Sequence, residues 1–247
     1  MLKDYFEKLY TGSQEDFVAL AERAMDEERR LFVVTANPEV MMLAQADAAM
    51  DAALCASSAT IVPDGIGVVM AARSLGLELP GRVTGVELAW ELIRHAGRSG
   101  KRICLYGASE EVLQALTARI AAEAPGAVLA LARNGYEYED EAVFQEILEQ
   151  KPDLVLVALG VPRQELLISR WLERFDKGVF MGVGGAFDVL SGKKQRAPDF
   201  FLKWNLEWLY RITREPKRIG RFLRSNLRFL GRVRRIGALD RREGEQT

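Results

Sequence analysis

Six short runs of apolar, largely branched residues recur along the chain between longer amphipathic stretches, and this alternation leaves few architectures open. The runs span residues 31–35, 59–62, 102–106, 128–132, 154–159 and 179–183. Each ends in a turn signal: Thr35-Ala-Asn-Pro, Pro63-Asp-Gly-Ile-Gly, Gly107-Ala-Ser, Asn134-Gly-Tyr, Gly160-Val-Pro and Gly184-Gly-Ala. The stretches 14–29, 39–56, 85–98, 110–124, 139–149 and 163–175 read as helices. Strands alternating with helices in this way predict an α/β fold, a parallel sheet flanked by helices. In such a sheet the turn signals fall at the carboxyl edge, where ligands bind.

With 247 residues, 49% of them hydrophobic, the chain suits one main domain and an appendage. A catalytic domain is expected over 1–192 and a helical appendage over 193–247, joined by the polar segment 192–198. Charge divides at the same place. From Lys193 onward there are 16 Lys+Arg against 6 Asp+Glu, leaving 18 against 29 in the first 192 residues. An acidic body therefore carries a basic tail, and the tail is expected to meet something anionic. Cys55 and Cys104 lie in apolar runs with no metal-spaced companion, as in a reduced cytosolic protein. The first ten residues lack the apolar stretch of a signal peptide or a spanning helix, so neither export nor membrane crossing is expected.

Residue types missing from the chain narrow the chemistry. A lone histidine, His95, argues against a Ser/His/Asp triad or a histidine-rich metal site. No D-x-D occurs to hold a divalent ion on a nucleotide diphosphate, and no G-x-x-x-x-G-K-[ST] phosphate loop occurs. Pro63-Asp64-Gly65-Ile66-Gly67 lacks the third glycine of a dinucleotide fingerprint, which counts against a nicotinamide-dependent oxidoreductase. A nucleic-acid-binding module would explain the arginines of the tail but not the polar loops at the sheet edge.

Among those loops, Asp64 suits a general base and equally suits a helix cap. Arg82, in Gly81-Arg-Val-Thr-Gly85, can pair with a phosphate. Asn37 caps the helix begun by Pro38, while Thr35 and Asn37 can also present polar groups to the cleft. Gln164 offers an amide to a sugar. In the tail, Arg218, Arg221, Arg224, Arg228, Arg232 and Arg235 share one side of a helical wheel. Ile219, Phe222, Leu223, Leu227, Phe229, Leu230 and Val233 take the other side. Such a helix can lie in a bilayer interface or dock its apolar face on the protein's own core.

Read in order, T-x-N-P, P-D-G-x-G, G-R-x-x-G, G-x-P-x-Q-E, G-V-G-x-x-F-D, the R-A-P run at Arg196, Glu207-Trp-Leu-Tyr-Arg211 and Glu215-Pro-Lys-Arg218 closely resemble the WecG/TagA/CpsF glycosyltransferase family. Glu87 stands where the pattern has aspartate. The resemblance, over residues 31–224, implies a Rossmann-like sheet and inverting transfer from a UDP-sugar, commonly of N-acetylmannosamine type, to a polyprenyl-diphosphate-linked amino sugar in cell-surface polysaccharide synthesis. A UDP-glucose or UDP-uronic acid donor is the alternative within the family. It implies no metal and no cofactor beyond the donor. On the matching positions Asp64 is expected as catalytic base, and Thr35, Asn37, Arg82 and Gln164 as sugar or phosphate contacts. Asp188 is expected at the ribose, and Gly107, Tyr136, Gly160 and Gly184 along the substrate cleft. Arg211, Arg218 and Arg221 match the family's tail arginines and are expected at a substrate diphosphate. The protein is expected at the inner face of the cell membrane, held peripherally by an anionic surface, with no nucleic-acid partner and with self-association left open.

Overall fold

All six expected strands form, each within a residue or two of its apolar run. They are β1 (Arg30–Ala36), β2 (Ala59–Pro63), β3 (Arg102–Gly107), β4 (Val128–Arg133), β5 (Leu154–Ala158) and β6 (Gly178–Gly182). The computed structural model describes residues 2–195, 197, 198, 200, 201, 204, 209, 210 and 219–244, excepting the side chains of 219, 221–223, 237 and 239–244. Every ladder is parallel, and the strand order is β2-β1-β6-β5-β3-β4. This is the parallel sheet expected of the alternating pattern, in the Rossmann-like arrangement that the resemblance implies. The central strands β5 and β6 are buried at every residue, which is why they read as unbroken apolar runs. At the edge, β4 leaves Val128 and Leu129 exposed.

Helices cover both faces, and alternate strand residues divide the core between them. Phe32, Val34, Val155, Val157 and Phe180 pack beneath α1 (Leu2–Glu7), α3 (Pro38–Ala44), α4 (Ala48–Cys55), α5 (Ile66–Ser74), α8 (Asp140–Glu149) and α9 (Arg163–Trp171). Val33, Val62, Leu105, Leu156 and Met181 pack beneath α2 (Gln14–Asp26), α6 (Gly85–Ser99), α7 (Glu110–Glu123) and α10 (Ala186–Leu190).

Three of the expected helices differ from the structure; the stretch 163–175 is α-helical only to Trp171 and passes into a 3-10 turn over Leu172–Arg174. The stretch 39–56 is two helices, because Asp47 takes an extended conformation and its Oδ1 accepts from the N–H groups of Ala49 and Met50, starting α4 afresh. The first helix ends at Asp26, before Glu28 enters the left-handed region at φ 53°. Helices α1 and α10, too short to give a clear period, and α5 were not among the expected stretches.

The basic segment forms α11 (Ile219–Gly244), and it docks on the body. Phe229 and Val233 are buried in the first core, Ile236 packs against it, and the Phe229 ring lies 6.2 Å from that of Phe6. The apolar face expected to act as one is therefore divided. Leu227 and Leu230 remain exposed, beside the exposed Arg224, Arg228, Arg232, Arg234 and Arg235. Among the described residues no helix is long and apolar enough to cross a membrane.

Candidate functional site

The exits of β1 and β2 are tied together at the carboxyl edge. The N–H groups of Asp64 and Gly65 both donate to the Ala36 carbonyl, at 3.0 and 3.3 Å. Asp64 is half-buried there, and its Oδ1 accepts from the Gly85 N–H at 2.9 Å. Gly85 is the first residue of α6, so the carboxylate sits where a helix N-terminus favours negative charge. Asp64 thus caps a helix 21 residues away in sequence, whereas the helix that follows it directly, α5, has Gly65 at its cap and no side-chain cap bond.

Arg82 enters the same corner through its neighbour, because the Val83 N–H donates to the Pro63 carbonyl at 2.8 Å. The loop is braced from outside by Gln14, whose Oε1 accepts from the Thr84 N–H and whose Nε2 donates to Glu87, both at 2.9 Å. Thr35 closes the other side. Its Cγ2 lies 3.1 Å from where a Cβ on Gly85 would stand, and its hydroxyl donates a long 3.4 Å bond to the Gly182 carbonyl. Asn37 caps α3 as expected, its Oδ1 accepting from Glu39 and Val40 N–H groups. Thr35, Asn37, Asp64 and the Arg82 loop therefore share one corner of the sheet.

Gln164 lies two strands away, beyond β6, and is 2% exposed. Its Oε1 accepts from the N–H groups of Gly160 and Gly184, both at 3.0 Å, so it clamps the β5 exit to the β6 exit. Its Nε2 donates to Glu165 Oε1 at 2.7 Å. Gly107 ends β3 at φ 121°, where a Cβ would stand 2.9 Å from the Ala158 Cα and closer still to its carbonyl oxygen. Tyr136 is 81% exposed on a turn organised by the buried Asn134, whose Oδ1 accepts from the N–H groups of residues 136 and 137. Asp188, on α10, pairs with Lys194 at 3.5 Å. Gly107 and Tyr136 thus border the β3 and β4 half of the edge, away from the Asp64 corner. Arg211 and Arg218 lie outside the described residues, as does the side chain of Arg221.

Sequence reasoning gave no role to Gln14, Asn134 or Glu165. The last two stand inside quoted motifs, whereas Gln14 reaches its partner Thr84 across 70 residues with no local pattern to announce it. His95 lies outside this corner, its ring 3.0 Å from Asp26 between α6 and α2. Among the described residues no group of three or more His, Cys, Asp and Glu side chains is arranged to hold a metal ion.

Beside the Asp64 corner an open groove of about 940 Å³ runs between α3 and α11. Glu39, Met42, Leu43, Arg224, Leu227 and Arg228 are among its lining residues. The two helices run side by side: Asn226 approaches Pro38 and Gly67 at one end, and Arg232 is hydrogen-bonded to Gln45 at the other. On the α3 side the groove is lined from Glu39, two residues beyond Asn37, to Ala46.

A wholly parallel sheet, with polar side chains gathered over its carboxyl edge at helix N-termini, defines a Rossmann-like ligand-binding protein. Comparison with known proteins makes this more particular: the chain belongs to the Glycosyl transferase WecG/TagA/CpsF family, which it matches over residues 8–243, and is a glycosyltransferase. It is 39% identical over 199 residues to an N-acetylglucosaminyldiphosphoundecaprenol N-acetyl-beta-D-mannosaminyltransferase of Bacillus spizizenii, a match covering 81% of this chain and 77% of the relative. A protein of the same name from Bacillus subtilis strain 168 is 37% identical over 220 residues, 89% of this chain and 80% of the relative. One from Staphylococcus aureus strain MW2 is 39% identical over 191 residues, 77% and 75% of the two chains. The resemblance read from the ordered motifs is borne out.

Proposed function

We propose that this glycosyltransferase moves a sugar of N-acetylmannosamine type from a UDP donor to a polyprenyl-diphosphate-linked N-acetylglucosamine, with inversion and without a metal. The observation that carries the reading is the Asp64 carboxylate, held by the Gly85 N–H at the carboxyl edge beside Thr35, Asn37 and the Arg82 loop. The names of the relatives support the acceptor and the sugar.

In this reading Asp64 takes the proton of the acceptor hydroxyl as that oxygen bonds to the anomeric carbon. The bond from the anomeric carbon to the UDP oxygen breaks on the opposite face, and the electron pair leaves with UDP. Negative charge grows on the departing diphosphate, and Arg82, the helix N-termini of this edge and the tail arginines Arg211, Arg218 and Arg221 stabilise it. Gly85 fixes one carboxylate oxygen, so the group is oriented before the acceptor arrives. Thr35 and Asn37 contact the sugar or its phosphates, Gln164 and its glycines Gly160 and Gly184 shape the donor side, and Asp188 meets the ribose. Residues 1–192 supply the chemistry and 193–247 complete the site.

The groove between α3 and α11 supports a place for the lipid acceptor, since apolar side chains and arginines line it and α3 carries Asn37 at its cap. Exposed Leu227 and Leu230 among exposed arginines support contact with an anionic membrane surface. The test is to incubate the protein with a panel of UDP-sugars and a short-chain lipid-diphosphate N-acetylglucosamine, with and without EDTA, and read the product mass. A product with UDP-N-acetylmannosamine, unchanged by the chelator, is expected. Product from UDP-glucose alone, or inhibition by EDTA that added magnesium reverses, would overturn the corresponding part.

A further inference from the structure

Glu165 is the one described residue with a buried side-chain oxygen that makes no hydrogen bond, and it stands next to the clamp that joins two loops of the site. It is 1% exposed at the start of α9, with Oε2 unpartnered and Oε1 accepting from Gln164 Nε2. The Gln164 amide can be oriented in only one way. Two backbone N–H groups, of Gly160 and Gly184, converge on one of its terminal atoms, which must therefore be the oxygen. Its NH₂ group is left inside the protein, where an acceptor is needed, and Glu165 supplies it. A Cβ on Gly182 would stand 2.9 Å from Glu165 Oε1, so this pair lies against the end of β6, whose Gly182 carbonyl receives the Thr35 hydroxyl.

We propose that Glu165 is a positioning residue for transfer: its Oε1 locks the orientation of the Gln164 amide, and through it the position of the β5 exit relative to the β6 exit, which borders Thr35. The inference rests on the proposed transfer reaction for its kinetic consequence alone, since the clamp itself can be observed without substrate. Acceptance from Gln164 needs a carbonyl-type oxygen and no charge. Burial pushes the Glu165 carboxyl above the ordinary glutamate value, against the opposing pull of hydrogen bonds from Gln164 and its own backbone N–H. The clamp itself does not depend on that proton, since either protonation state leaves an oxygen to accept from Gln164.

Four variants test this by amide hydrogen exchange, by kcat and KM, and by thermal unfolding at pH 5.5 and pH 8. Glu165→Gln keeps the accepting oxygen, so exchange at Gly160 and Gly184 and turnover should stay within about threefold of wild type. Glu165→Leu leaves the Gln164 NH₂ unpaired, so exchange at both glycines should rise about tenfold or more and kcat should fall by a similar factor, with little change in KM. In a Gln164→Met background, Glu165→Leu should add less than about twofold, because Glu165 acts through Gln164.

The sign of the pH effect is fixed by the raised folded-state value. The native chain holds this proton more tightly than the unfolded one, so wild-type stability falls as pH rises from the ordinary glutamate value towards the folded one. Glu165→Gln should therefore gain on wild type between pH 5.5 and pH 8. The proposal fails if Glu165→Leu leaves exchange at Gly160 and Gly184 unchanged, or if Glu165→Gln loses most of its turnover while those amides stay protected. Should Glu165→Leu not fold, the exchange and pH measurements on Glu165→Gln decide. Altered exchange in a chain that transfers no sugar under any condition would count against the transfer reading and leave the clamp standing.

Discussion

Replacing Asp64 separates its proposed chemistry from its place in the fold, because the two substitutions available to it differ in one hydrogen bond. Asp64→Asn retains an oxygen facing the buried Gly85 N–H, so α6 keeps its cap. At the helix N-terminus it loses the charge, worth about 0.3–1 kcal/mol. For a chain of this size each kcal/mol shifts Tm by roughly 2–4 °C, so Asp64→Asn should melt no more than about 4 °C below wild type. Asp64→Ala removes the acceptor as well and leaves the Gly85 N–H unpaired, a cost of about 1–3 kcal/mol. Together with the lost charge, this should lower Tm by roughly 3–16 °C. Turnover should fall by about 100-fold or more in both, as for a lost general base, with UDP affinity nearly unchanged. Calorimetry beside a transfer assay reads both effects. Turnover of Asp64→Asn within about threefold of wild type would remove the base from the mechanism. Equal destabilisation by the two substitutions would refute the cap.

Phe229→Ala tests whether α11 is docked: emptying a fully buried phenylalanine site should cost about 3–5 kcal/mol, whereas no change in Tm would mean that the helix lends the body nothing. Gly107→Ala forces a Cβ against Ala158 at positive φ and should lower the free energy of unfolding, read by denaturant titration, by an amount of order 1–3 kcal/mol or more, and a neutral result would contradict the close approach of β3 and β5. Reversing Arg224, Arg228 and Arg232 together to glutamate should weaken flotation with anionic liposomes and abolish its salt dependence, and undiminished flotation would remove these exposed arginines from the membrane contact.

The sheet was legible because its signals are local. A buried parallel strand is an apolar run, and its exit needs a turn, so Gly160 and Gly184 could be placed before any contact was known. Asn37 was legible for the same reason, since a cap acts within three residues. Bonds that join distant segments were not. Asp64 meets Gly85, and Gln14 meets Thr84, through geometry that no spacing in the chain announces. The docking of α11 was undecided for a related reason: a wheel shows that Phe229, Val233 and Leu230 are apolar but not which of them a neighbouring helix will cover. Glu165 was visible only as part of a motif, and its meaning came from burial.

The central claim is that sugar leaves UDP and joins the lipid-linked acceptor with inversion at the anomeric carbon, in one displacement assisted by Asp64. The most direct measurement is the one-bond carbon–proton coupling at the anomeric carbon of the disaccharide made from UDP-N-acetylmannosamine, a donor of α configuration, and a short-chain lipid-diphosphate N-acetylglucosamine. The account predicts a β-linked product. An α-linked product would require a retaining mechanism and would contradict single displacement.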